Sequence, residues 1–185
     1  MGERAVTRKS NRRVVAVLGA VALAGSLAAC SGGQPGAAAV VDGRVIRTTD
    51  VDRATRELSG VFPGLTSSAV VTVLLVEPLI SAHASDAGIG VSDEQAVEAL
   101  QAQAEQQGVE LAGDLSDASV SVARYALESS ALQQSDQGAD IQQAVSEDLA
   151  AADVTVNPRF GTVGEGNVPG PTSYPWLVTA ATEGS

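Results

Sequence analysis

Apolar residues flank the pair Asp42-Gly43 in the stretch AAAVVDGRVIR. Asp and Gly both tolerate the positive φ angles of a two-residue type I′ turn, and this arrangement is a strong hairpin signal. The pattern predicts a β-hairpin with two opposed pairs, Val40 with Val45 and Ala39 with Ile46. An isolated hairpin is only marginally stable in water, so this one needs a third strand or a helix to lie on.

Alternation returns late in the chain, in ADVTVNPRFG. Val154, Val156 and Phe160 alternate as in a strand, and Pro158 limits that strand to a sheet edge or a short run. The segment is the natural third partner of the hairpin. The sequence therefore predicts a small antiparallel sheet, formed by an N-terminal hairpin plus a C-terminal strand, that joins the two ends of the folded region.

Between these strands, apolar residues recur every three or four positions, as they do on the buried side of a helix. This pattern predicts a mainly α domain of about five helices. We expect Thr48, Thr49 and Asp50 to cap the first helix, Ser67 or Ser68 to cap the second, and a capping box, Ser92-Asp93-Glu94-Gln95, to begin the third. The other predicted bounds are Asp50–Leu58, Asp117–Gln134 and Ala139–Ala151.

Each of the last three helices has a predicted apolar stripe. The stripes are Val97, Leu100 and Ala104; then Val120, Ala123, Leu127 and Ala131; and finally Ile141, Val145 and Leu149.

The most apolar stretch after the leader, Ala69 to Gly88, has two possible structures. Its valines favour a strand followed by a helix, whereas its leucines and its start and stop residues favour one helix. Pro78 removes a helical hydrogen bond and should kink that helix. We favour a kinked central helix, and we do not expect a membrane span because Glu77 and Pro78 interrupt the apolar run.

The N-terminal residues have the pattern of an export signal. Five basic residues precede an uncharged apolar run from Val14 to Ala29. We therefore expect residues 1–29 to be a signal peptide that is removed. Leu27-Ala28-Ala29-Cys30 resembles the lipobox of bacterial lipoproteins, which implies that Cys30 is lipidated; ordinary secretion with an incidental cysteine is the alternative. This resemblance places the protein at the cell membrane, on the extracytoplasmic face.

The rest of the chain divides by composition. Residues 30–38 are small and predict a flexible tether, residues 39–161 predict the folded domain, and the Gly- and Pro-rich residues 162–185 predict a disordered tail.

Charge narrows the range of partners. After removal of residues 1–29, six arginines face 21 acidic side chains, which gives a formal charge near −15. Nucleic acid binding needs clustered cations, so we do not expect it. Anionic membranes would repel the domain for the same reason, so the lipid on Cys30 must provide the membrane attachment.

Catalytic motifs are missing from the sequence. The chain has one histidine, His83, within a predicted helix, and one cysteine, Cys30. Ser-His-Asp, zinc, calcium and phosphate-loop patterns are absent, and the acidic clusters lie where helix capping explains them. We therefore predict a protein that is not an enzyme, needs no cofactor and has no evident small-molecule substrate.

The order of these motifs resembles one family, the N-terminal domain of the SurA and PrsA chaperones and foldases. The matching stretches are AVVDGRVIRTTDVD, LISAHASDAGIGVSDEQA and DVTVNPRFG, the last typical of a lipoprotein branch in high-GC Gram-positive bacteria. The resemblance implies a helical domain that holds unfolded polypeptides in an apolar groove. The chain has no room for a parvulin domain and lacks the family's long C-terminal helix, so isomerase activity is not implied.

The resemblance predicts a lipid-anchored, chaperone-like module that binds unfolded or newly exported polypeptides. The binding surface would come from the central apolar helix, at Val73, Leu74, Leu75 and Ile80. For these residues the alternative is a purely structural place in the core, since a helix that is apolar all round is normally buried. For the protein, the alternative is a non-catalytic envelope adaptor that binds one specific protein partner.

Overall fold

A computed structural model of the chain describes residues 34–111 and 113–170. In chain order its elements are β1 (Ala37–Val41), β2 (Arg44–Arg47), α1 (Thr48–Leu58), α2 (Ser67–Asp86), α3 (Asp93–Gln107), α4 (Asp117–Gln134), α5 (Gly138–Ala151), β3 (Val154–Val156), β4 (Thr162–Val163), a short 3₁₀ helix (Glu165–Asn167) and β5 (Pro169–Gly170). The described part of the chain is thus mainly helical with a small antiparallel sheet, as predicted. The expected signal peptide and Cys30 lie outside the described residues.

The sheet has the predicted pairing. Asp42 and Gly43 have φ angles of +47° and +81°, and the turn places Val40 opposite Val45 and Ala39 opposite Ile46. β3 pairs antiparallel with the other side of β1, so the strand order is β2-β1-β3. The Asp42 carboxylate also accepts a hydrogen bond from the Asp153 N–H at 2.8 Å, which fixes the turn to the incoming third strand.

Four predicted boundaries differ from the structure. α5 begins at Gly138, one residue before the predicted Ala139. The first strand begins at Ala37, so its first two residues do not belong to the tether. α1 begins at Thr48 without a side-chain cap, because the expected capping residues lie inside its first turn. Thr66, rather than Ser67 or Ser68, caps α2 by accepting a hydrogen bond from Ala69 N–H at 3.2 Å. The capping box at Ser92 and the bounds of α4 are as predicted.

α2 is the central helix and continues through Pro78. It packs against α1, α4 and α5. Its length and apolar composition would also suit a membrane span. A core helix has the same two properties, so they do not distinguish the two.

The core formed by the described residues consists of two clusters. The larger joins the sheet to α1, α2, α3 and α4, and the smaller contains Ile80, Leu132, Ile141 and Val145. The predicted stripe of α5 is buried, but that of α4 was wrong in part. Of its four residues only Ala123 is buried; the other buried residues of α4 are Ala118, Ser119, Val122, Glu128 and Leu132. Because α4 contacts α1, α2, α3 and α5, its buried residues do not form a single stripe, and Leu127 is left half-buried.

α3 shows a smaller shift of the same kind. Ala96 is buried in place of the predicted Val97, together with Leu100 and Ala104.

The segment after Gly161 contradicts the prediction of disorder from residue 162. β4 pairs with β5, and a short 3₁₀ helix joins them. The Asn167 amide donates to the carbonyls of Leu149, Ala150 and Ala152 at 3.0, 3.3 and 2.7 Å. These carbonyls lie at the end of α5, where a helix leaves acceptors that its own N–H groups do not fully satisfy, so a side chain that donates to them holds the segment on the domain. Residues 171–185 lie outside the described ranges.

Candidate functional site

The four residues predicted to bind polypeptide do not form one open face. Leu75 is completely buried in the larger core cluster, and Ile80 is 8% exposed in the smaller one. Val73 is half-buried against the larger cluster. Leu74, at 9% exposure, is also a core residue, but it reaches the floor of a surface groove. Three helices enclose α2, so the core interpretation holds for most of its apolar residues.

The groove that Leu74 reaches is the strongest candidate site. It has a volume of about 360 Å³ and lies between β2, α1, α2 and the start of α4. We call it the β2 groove. Its apolar lining is provided by Val45, Ile46, Leu74, Pro78 and Ala118, and Ser121 lies on its α4 wall.

One wall of the β2 groove is a free strand edge. β2 is an outer strand of the sheet. In a two-residue hairpin the pair nearest the turn is hydrogen-bonded and the next pair is not. Val45, opposite Val40 in that second pair, therefore directs its N–H and C=O away from β1. Neither group has a hydrogen-bond partner within residues 34–111 and 113–170, and the Val45 side chain is exposed.

Pro78 and Arg44 shape the end of this groove. Pro78 has no N–H, so it cannot bond to the carbonyl of Leu74 one helical turn earlier. Both terminal nitrogens of Arg44 instead donate to that carbonyl, each at 3.4 Å. Arg44 and Pro78 also line a second groove of about 450 Å³, which continues toward α5 at Ala151 and Ala152. The Arg44 side chain therefore separates two neighbouring grooves.

A carboxylate joins α1 to α4 beside the β2 groove. The Glu57 side chain, 10% exposed, accepts hydrogen bonds from Ser116 N–H at 2.9 Å, Ser116 Oγ at 2.7 Å and Ser119 Oγ at 2.5 Å. Arg53 Nε donates to its other oxygen at 2.6 Å. Burial alone would raise the pKa of this carboxyl, but the hydrogen bonds from Ser119, Ser116 and Arg53 outweigh burial and lower the pKa to about 2.

A second ionic contact joins α2 to α4. Glu77, 3% exposed at its side chain, accepts from Arg124 Nε at 2.6 Å. Arg124 also pairs with Asp93 at the start of α3. The ion pair between Glu77 and Arg124 is structural, because removing either side chain would leave the charge of the other uncompensated and destabilise the fold. Glu77 therefore lines the groove without offering a free carboxylate.

Glu128 is the least satisfied acid in the described part of the chain. It is fully buried. Its Oε1 accepts from Val91 N–H at 3.3 Å, whereas Oε2 has no partner of acceptable geometry among the described residues, although the Ser81 hydroxyl lies near the carboxyl. Burial raises the pKa of this group. Since it is sealed from solvent, it cannot meet a substrate.

The single histidine has a structural contact as well. His83 Nε2 lies 2.8 Å from Asp148 Oδ2, which links α2 to α5 at the surface. Within the described residues, no hydroxyl hydrogen-bonds to His83, and no group of three or more His, Cys, Asp or Glu side chains could hold a metal ion. The ionisable groups of this region thus join helices to one another.

Sequence reasoning missed the site because its walls come from four elements, and α2 and α4 are distant in the chain from β2 and α1. Pro78 in the middle of a helix was the one local signal, since it predicts an unpaired carbonyl at Leu74. Which side chain would donate to that carbonyl could not be predicted, because Arg44 is thirty residues away.

Searches of protein-family models, curated proteins and solved structures found nothing that matches this chain.

Proposed function

We propose that this protein is a lipid-anchored, non-catalytic module that binds unfolded or newly exported polypeptides in the β2 groove, on the extracytoplasmic face of the cell membrane. The observation that carries the proposal is the combination of a groove lined in part by apolar side chains with a free strand edge at Val45. The order of sequence motifs, which resembles the SurA and PrsA domains, supports the same class of function.

A free strand edge suits clients of varied sequence. Main-chain N–H and C=O groups occur in every polypeptide, so hydrogen bonds to a strand edge do not depend on the side chains of the client. The apolar floor beside Ile46 and Leu74 then adds affinity for segments that expose apolar side chains. Unfolded chains offer both features, whereas folded proteins have already used most of them.

The membrane location depends on Cys30. Each buried methylene of an acyl chain contributes about 0.8 kcal/mol of membrane affinity, so two or three chains attach a domain stably without a spanning helix. The Cys30→Ser variant should lose incorporation of radiolabelled palmitate. Labelling that persists in this variant would contradict the lipid anchor but leave the groove proposal unaffected.

Suppression of client aggregation tests the binding function. The full chain, purified in detergent, should slow the aggregation of a chemically denatured client at stoichiometric amounts. Ser121→Trp fills the β2 groove and should abolish the effect. Gln133→Trp is the matched control, because it adds the same side chain to an exposed position of α4 outside the groove, and it should act like the natural protein.

Two results would argue against a general holding function. If the natural protein does not slow aggregation at stoichiometric excess, the proposal fails. If it fails in this assay but captures one identified folded partner, and Ser121→Trp abolishes that capture, the protein is an adaptor.

A further inference from the structure

We infer that the β2 groove takes an extended polypeptide segment by strand addition at Val45 and selects segments in which basic residues alternate with apolar ones. This inference rests on the proposed function, because it names the binding mode and the preferred client chemistry of the same groove. It requires that the edge of β2 be open and that the lining of the groove carry a net negative charge.

The edge of β2 is the accessible edge of the three-stranded sheet. The opposite outer strand, β3, contacts β4 and so has the C-terminal segment beside it. Along β2, Val45 directs both its N–H and its C=O outward, and one residue of this kind can make a pair of hydrogen bonds with an extended chain. Side chains of such a chain would alternate between the groove floor and solvent.

Short length makes β2 a poor site for self-association. It has four residues, and short edge strands are a usual protection against edge-to-edge aggregation. A longer client segment can also contact the groove beside this edge, at Ile46 and Leu74.

The charges that line the groove fall into two groups. Arg53 is paired with Glu57 at 2.6 Å, and Glu77 is paired with Arg124. Arg44 donates to the neutral Leu74 carbonyl, so its positive charge has no carboxylate partner among the described residues. Asp50 and Asp117 are exposed and have no ion-pair partner in the part of the chain that the structure describes. They lie in the first turns of α1 and α4.

These two carboxylates outnumber the unpaired Arg44, so the ionisable side chains that line the groove have a formal charge of −1. The two carboxylates come from different walls of the groove. The formal charge of the whole chain, −11, reinforces their sign. A segment with basic residues that flank an apolar one complements this arrangement. An acidic segment would be repelled by both the rim and the protein as a whole.

Two labelled peptides test the charge preference by fluorescence anisotropy with the full chain. In one peptide valine and lysine alternate, and in the other valine and glutamate alternate. The lysine peptide should bind about tenfold more tightly at low salt, and the difference should shrink as salt screens the rim. Asp50→Asn combined with Asp117→Asn should remove most of the preference. Equal binding of the two peptides, or a preference that the double variant retains, would overturn the charge selection.

Val45→Pro tests strand addition. It removes the outward N–H without removing a hydrogen bond to β1, and proline is tolerated on an edge strand when its missing N–H faces outward. The lysine peptide should bind about fivefold to tenfold more weakly to this variant. Val45→Thr keeps the N–H and should bind normally. Far-ultraviolet circular dichroism checks that both variants are folded.

A scan of the peptide keeps the test valid even if Val45→Pro does not fold. Methylation of single backbone nitrogens of the lysine peptide removes one donor at a time. Strand addition predicts weakened binding at alternate positions, because every second N–H faces the strand. If methylation weakens peptide binding at positions that do not alternate, or at no position, strand addition is overturned while the proposed function stands. Failure of the natural protein to bind either peptide or a denatured client would overturn both.

Discussion

The substitution Glu57→Gln tests the contact that holds the two walls of the β2 groove together. The Glu57 carboxylate accepts hydrogen bonds from Ser116, Ser119 and Arg53. It lies at the start of α4, where a negative charge also interacts favourably with the helix dipole. Glutamine preserves the size of the side chain but removes the charge, and its amide nitrogen cannot accept from the donors that surround it.

The pKa gives the size of the expected effect. The pKa of Glu57 falls from the ordinary 4.5 to about 2 in the folded protein. Each pKa step of 1 corresponds to about 1.4 kcal/mol, so the ionised carboxylate contributes about 3 kcal/mol to the free energy of unfolding. Because the folded pKa is lower than the unfolded one, this contribution is complete above about pH 4.5. It decreases as the pH falls toward 2.

Urea unfolding followed by circular dichroism measures this contribution. At pH 7 Glu57→Gln should lower the free energy of unfolding by about 3 kcal/mol, and the difference from the natural protein should shrink as the pH falls from 4.5 toward 2. The matched control is Glu105→Gln on α3, an exposed position, which should change stability by less than about 0.5 kcal/mol. A Glu57 effect as small as the control, or one independent of pH, would refute the reasoning.

Two further substitutions test other contacts. Glu128→Gln replaces a fully buried acid whose pKa is raised by burial, so it should increase the free energy of unfolding at pH 7 by about 1 kcal/mol. Since the natural carboxyl becomes protonated as the pH falls, the gain should disappear in acid; a loss of stability at pH 7 would contradict this. Asn167 has a φ of +60°, which glycine adopts without strain, so Asn167→Gly removes only the side-chain donors to the end of α5. This variant should lower the free energy of unfolding in urea by about 1–2 kcal/mol. Unchanged stability would show that the segment after Gly161 does not support α5.

Local rules predicted those parts of the fold that depend on a few neighbouring residues. The Asp42-Gly43 turn determines its own strand register, and the Ser92 capping box determines where α3 begins. Both follow from interactions within four residues of the chain. The pairing of β1 with β3 was also predictable, because an isolated hairpin needs a partner and one other strongly alternating segment was available.

Features that depend on three-dimensional neighbours were not predictable in this way. The stripe of α4 was placed on one face of the helix, but contacts with four other helices also bury residues off that face, such as Ser119 and Glu128. Composition indicated disorder after Gly161, yet the amide of Asn167 is held by the carbonyls of α5. The β2 groove depends on four elements at once, and for the same reason the choice of Val73, Leu75 and Ile80 as binding residues selected core positions.

The most direct test of the central claim is site-specific crosslinking. A photo-reactive benzoylphenylalanine is placed at position 121, on the α4 wall of the β2 groove, or at position 133, on an exposed part of the same helix. Each full-length variant is irradiated with a denatured client. We expect crosslinks to the client from position 121, reduced by competition with unlabelled valine and lysine peptide, and few from position 133. Equal yields from both positions, or none from position 121, would contradict binding of polypeptides in the β2 groove.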